Sequence, residues 1–147
     1  VTTLVCQTLD APLIQEIRLS QDVRYCIGSI APYLYMHNAP AGTFTLAIKR
    51  GSETAFSASF TSADIKASLA TANNFAHVFF PIVPSEPLHL DRDTYLVELS
   101  ATGYTATDSS FLGWIQQHED LNNILDYVPS GDDQNPLALR IKRIRNY

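Results

Sequence analysis

At 147 residues, with 46% hydrophobic and only 17% charged side chains, the chain is long enough for one packed core and too apolar for a disordered segment. Its net charge of −5 argues against a nucleic-acid partner, because phosphate contacts need a basic face. No run approaches the roughly eighteen apolar residues of a membrane span, and the N-terminus lacks the succession of a secretory signal.

A surface so poor in charge is expected to meet another surface. The chain begins at Val1, which fits a complete small protein and a fragment equally. Residues 1–12 read as an N-terminal arm and 13–147 as one domain. Cys6 and Cys26 lie too far apart for a metal-ligand pattern, and as one pair they make no disulfide framework. Free thiols are expected.

In chain order, Leu13, Ile17 and Leu19 open a first strand. After a turn at Asp22–Tyr25, Cys26–His37 alternates Ile30, Leu34 and Met36 on one face with Tyr33, Tyr35 and His37 on the other. The loop Asn38–Gly42 leads into Thr43–Arg50, where Phe44, Leu46 and Ile48 point inward. Gly51-Ser52 turns the chain into Thr54–Thr61. Ser62 begins a helical turn, and Lys66–Asn74 reads as a short helix or ordered loop crossing the molecule.

Two further runs, His77–Val83 and Thr94–Ser100, place Val78, Phe80 and Ile82, then Tyr95, Val97 and Leu99, on single faces. A run at Phe111–His118 and a last strand at Pro136–Ile144 bring the total to about eight strands. The regular spacing predicts an all-β antiparallel sandwich with one short helix or ordered loop. Phe111, Trp114, Ile115, His118, Leu121, Leu125 and Val128 also fit a helical stripe, which competes with the strand reading there.

Gln15–Leu19, Ile27–Ile30, Gly42–Ile48, Phe79–Ile82 and Leu88–Tyr95 followed by Leu99, with a late strand entered from Leu90 to Tyr95, together resemble galactose-binding-domain-like jelly rolls. Such modules, similar to carbohydrate-binding modules, recur among virion structural proteins of tailed bacteriophages. Gly113-Trp114-Ile115 and Asn135–Arg140 look like the closing part of such phage modules. Arg92-Asp93 departs from the glycine usual before the late tyrosine strand. The resemblance favours a strand over Phe111–Gln117. It implies a jelly-roll β-sandwich in a virion, with other virion proteins and copies of itself as partners. A trimer is expected on that analogy alone.

Chemistry-bearing motifs are few. No nucleophile elbow, zincin helix, P-loop or dinucleotide fingerprint is present, so neither an enzyme nor a cofactor is expected. His118-Glu119-Asp120 is the one cluster of imidazole and acid, but adjacent residues diverge on a strand or helix, and a solvated loop explains them better. Asp91 with Asp93, and Asp132 with Asp133, could supply oxygens to Ca²⁺, yet each pair also suits a turn, so no metal site is assigned.

Asp108–Asp133 holds six acids and no Lys or Arg, whereas Arg140, Lys142, Arg143 and Arg145 crowd the C-terminus. Such asymmetry can orient one subunit on another, or describe two ordinary solvated faces. The candidate binding residues are aromatic: Tyr33, Tyr35 and His37 on one strand face, with Tyr104 and Trp114 near a sheet edge or loop end. They suit packing against a subunit or a host-surface glycan equally, and they could also be rings covered by the arm or by Lys66–Asn74.

Overall fold

The computed structural model describes residues 5–19, 25–73, 76–116, 125–128 and 137–143. Two antiparallel sheets face one another. The first runs β1 (Val5–Thr8), β9 (Phe111–Gln116), β3 (Tyr25–His37) and β11 (Leu139–Arg143), with β6 (His77–Phe79) and β7 (Leu88–Leu90) also paired to β3. The second runs β10 (Leu125–Val128), β2 (Leu13–Leu19), β8 (Asp93–Thr102), β4 (Thr43–Arg50) and β5 (Glu53–Phe60). The chain passes repeatedly from one sheet to the other, the winding of a jelly roll.

Period-2 alternation explains the layers. Phe44, Leu46 and Ile48 on β4, Tyr95, Val97 and Leu99 on β8, and Ile17 and Leu19 on β2 turn into one core with Leu34 and Met36 of β3. Phe80 and Ile82, expected inside, are buried. Ile27 and Ile30 both reach the interior although three residues apart. The pairing with β11 skips a residue there, so that Lys142 faces Ser29 while Arg143 faces Ile27, and Gly28 is the extra residue of a bulge.

Several boundaries differ from expectation. Tyr25 is not in a turn but is a fully buried first residue of β3. Residues 5–8, placed in an arm, extend the first sheet by pairing with β9, and Leu9 joins the core. The apolar alternation of His77–Val83 continues beyond the three-residue strand β6, and Leu88–Leu90, between the two expected runs, forms a strand of its own. Phe111–Gln116 is a strand with Phe111 and Trp114 on opposite faces, so the helical stripe fails in its first turn; residues 117–124 lie outside the described residues.

One helix, α1 (Ser62–Thr71), follows β5. Its first turn is held by the Asp64 carboxylate, which accepts from the Thr61 backbone N–H at 2.9 Å. Ile65 and Leu69, one turn apart, are buried in the common core. Gln15 is the single buried polar side chain among the described residues. Its Oε1 accepts the Leu137 N–H at 2.8 Å, tying β2 to the chain entering β11.

Candidate functional site: the aromatic face of the first sheet

The outward face of the first sheet carries rings instead of the charged side chains usual on a solvated strand. Register explains how they meet. Tyr33 stands opposite Phe79 and Tyr35 opposite His77 across β3 and β6, while His37 stands opposite Phe111 across β3 and β9. All six are half-buried. Cross-strand neighbours stand close enough for direct ring contact.

The Tyr33 and Phe79 rings are stacked, with centroids 4.2 Å apart and planes 9° from parallel. The Arg140 guanidinium lies 3.8 Å from the same Phe79 centroid. Two groups that close to one ring must take its opposite faces, so both faces of Phe79 are occupied within the molecule. The Tyr33 hydroxyl shares a 2.8 Å hydrogen bond with His77 Nδ1, and the two rings meet edge to face. Along β3, the Tyr35 and His37 rings are parallel within 7° at 6.4 Å, and Phe111 tilts against both.

At the Phe111 end, the loops are pinned to one another: Asn38 Nδ2 donates to the Ser109 carbonyl, and Ser110 Oγ donates to the Asn38 carbonyl. Thr8, Asp10, Thr107 and Asp108 line a cleft there with Phe111. On the other side of the face, an apolar groove of about 370 Å³ separates α1 from β6, with Ala67, Thr71, Val78 and Pro81 beside Phe79.

Of the residues singled out in the sequence, Tyr33, Tyr35 and His37 share this face. Trp114 does not. It points to the opposite side of the sheet, is 0% exposed, and donates from Nε1 to the Ala138 carbonyl at 2.8 Å, so it is a core anchor and presents no ring to a ligand. Tyr104 is also apart: its hydroxyl accepts the Leu112 N–H at 3.1 Å and its ring meets Phe44 edge to face at 5.3 Å. Burial raises the Tyr104 phenol above its ordinary pKa. Gly42 permits that position, since a Cβ there would lie 2.7 Å from Tyr104 Cβ.

The expected covers are engaged elsewhere: β1 adds to the sheet edge, and α1 turns Ile65 and Leu69 into the core. Sequence reasoning missed His77, Phe79, Phe111 and Arg140 as members of the face. The alternation that put Val78 and Phe80 inside already put His77 and Phe79 outside, but nothing local paired them with Tyr33.

Asp93 accepts the Thr94 N–H at 2.8 Å and sits 3.8 Å from the Arg50 guanidinium, while the Asp91 carbonyl accepts the Tyr95 hydroxyl. The Asp93 carboxylate thus acts in the local turn, and at Asp91 it is the backbone that does. Among the described residues no three His, Cys, Asp or Glu side chains gather around a point that could hold a metal. Cys6 and Cys26 are free thiols, and burial raises the Cys6 pKa, away from reactivity. His118-Glu119-Asp120 and Asp132-Asp133 lie outside the described residues. No family model matches this chain, and neither a curated protein nor a solved structure matches it.

Proposed function

We propose that the chain is a non-enzymatic adhesion module that packs the aromatic face of its first sheet against a neighbouring protein. Its role is that of a capsid-decorating, fibre or tail-accessory component of a tailed-phage virion. The observation that carries the first part is the Tyr33–Phe79–Arg140 stack. A sugar needs an open aromatic face to lie on, and here both faces of Phe79 and one of Tyr33 are already occupied. What such a stack offers outward is ring edge, hydroxyl and guanidinium, the chemistry enriched in protein interfaces. The virion assignment rests on the resemblance of the strand sequences to phage jelly rolls, with which the two-sheet sandwich is compatible.

The test pairs a glycan array with co-sedimentation on purified tailed-phage particles. Particle binding that is lost in Tyr35→Ala, with no glycan retained through the rings, is the expected result. Glycan retention abolished by Tyr33→Ala or Tyr35→Ala overturns the reading in favour of a carbohydrate-binding module.

A further inference from the structure

The six strands of the first sheet contain no Asp or Glu at all, whereas β11 sets Arg140 and Lys142 on its outward side. In a chain with fifteen acids and ten bases, that is a segregation of charge onto one face. Position along β3 gives it direction. Lys142 stands opposite Ser29 and Arg140 opposite Ala31. The rings follow from Tyr33 to His37, and Asp10 and Asp108 border the cleft beyond them at Phe111. The face is therefore basic at one end, aromatic in the middle and acidic at the other end.

Lys142 on β11 and the two acids beside β9 lie on the same side of β3, while the Arg140 guanidinium leans across β3 to the Phe79 ring. β9 pairs with residues 34–37 and β11 with residues 27–32, and the bridge between Gln116 and Leu137 joins the two lines. A two-fold axis lying across β3 near Tyr35 reverses direction along the strand and keeps the lateral position. It sets Lys142 of one copy over Asp10 and Asp108 of the other, twice, with ring against ring between them.

We infer that the aromatic face is a self-complementary dimer interface, and that its partner is a second copy of this chain packed face to face in antiparallel sense. This rests on the reading of the face as a protein-packing surface and names the neighbour. An isologous contact needs residue i to meet residue j and j to meet i, and a surface with opposite charges at its two ends satisfies that where a uniformly basic one repels itself. The proposed dimer differs from the trimer expected on the fold analogy.

Size sets the strength. From Ser29 to His37 the face is about 27 Å long, and β6, β3 and the Phe111 end of β9 span about 14 Å, giving a footprint of about 400 Å², because Ile115 further along β9 is already buried. That is below the roughly 800 Å² per partner of a standard interface, so a reversible dimer in the micromolar range is expected.

Sedimentation velocity of the full chain over a concentration series tests the inference. The wild type dimerises and Tyr35→Ala does not. The variant Lys142→Glu has two acidic ends and the double variant Asp10→Lys/Asp108→Lys two basic ends. Each alone is monomeric, and an equimolar mixture restores the dimer, provided both keep the native tryptophan emission. Raising the salt from about 0.1 M to about 1 M, which shortens the screening length from about 10 Å to about 3 Å, weakens the wild-type dimer several-fold.

Failures separate cleanly. A wild type that stays monomeric, or an oligomer lost in Tyr35→Ala but indifferent to both charge reversals, overturns the two-fold pairing and leaves the adhesive face standing if Tyr35→Ala still abolishes particle binding. An oligomer that survives Tyr35→Ala and is broken by Ser57→Lys on the exposed strand β5 places association at that sheet edge, and overturns the inference.

Discussion

Gln15→Leu tests how the two sheets are tied. Gln15 is 0% exposed, and its Oε1 takes the N–H of Leu137, itself 2% exposed, across 122 residues of sequence. Leucine nearly conserves the volume, so the substitution removes the hydrogen bond and leaves little void. Stranding the Leu137 donor costs about 1–3 kcal/mol, and losing the 2.9 Å bond from Nε2 to the Glu16 carbonyl costs about 1 kcal/mol more. Two methyl groups in place of the amide return about 1.5 kcal/mol.

The net is a destabilisation of about 0.5–2.5 kcal/mol. At roughly 2–4 °C per kcal/mol for a chain of this size, Tm falls by about 1–10 °C. Urea unfolding is expected to show a lower midpoint with an unchanged slope, since the surface exposed on unfolding barely changes. Amide exchange at Leu137 is expected to quicken in the variant. An unchanged midpoint together with unchanged exchange at Leu137 would refute the argument, because it would mean that this N–H never depended on Gln15.

Three further outcomes follow from buried groups. The chain has one tryptophan, and it is fully buried, so native emission is expected to be blue-shifted and protected from acrylamide, moving red on unfolding; Trp114→Ala costs about 3–5 kcal/mol by the same urea assay. Gly42 sits at φ +120°, where an added Cβ meets Tyr104 Cβ at 2.7 Å and the Thr102 carbonyl at 2.8 Å, so Gly42→Ala is expected to lose at least about 1–3 kcal/mol in thermal denaturation. Burial raises the phenols of Tyr95 and Tyr104 above 10.0. The folded state holds those protons more tightly than the unfolded chain, so their contribution is fully present below pH 10 and is lost as the pH rises through the folded values. Urea midpoints measured from pH 8 upward are expected to fall beyond pH 10, less so in Tyr104→Phe.

The sequence carries face information in parity and almost no information about neighbours. Alternation in Cys26–His37 separated Leu34 and Met36 from Tyr33 and Tyr35 because each strand residue reports its own side of the sheet. Where a bulge breaks the period, as at Gly28, alternation no longer reaches back to Tyr25, which the sequence places in a turn and the structure in β3. Trp114 reads as a candidate binding ring for a related reason. Between the helical and strand readings of 111–128 its face was undetermined, and only pairing with Leu34 puts it inside.

The same logic explains why the candidate site was only half legible. Tyr33 and Phe79 are 46 residues apart in the chain, and Arg140 a further 61, so no local pattern joins the stack that decides between a sugar platform and a packed layer. The charge asymmetry was visible as an acidic stretch and a basic end, but a list of charges has no direction. Direction appears once β11 lies along the Ser29 half of β3 and β9 along the His37 half, because the strand then acts as a ruler between Lys142 and Asp108. Reversing that ruler maps each end onto its complement, which a face with its charges at one end only cannot do. The order of residues along β3, more than the number of rings on it, is therefore what selects a two-fold partner.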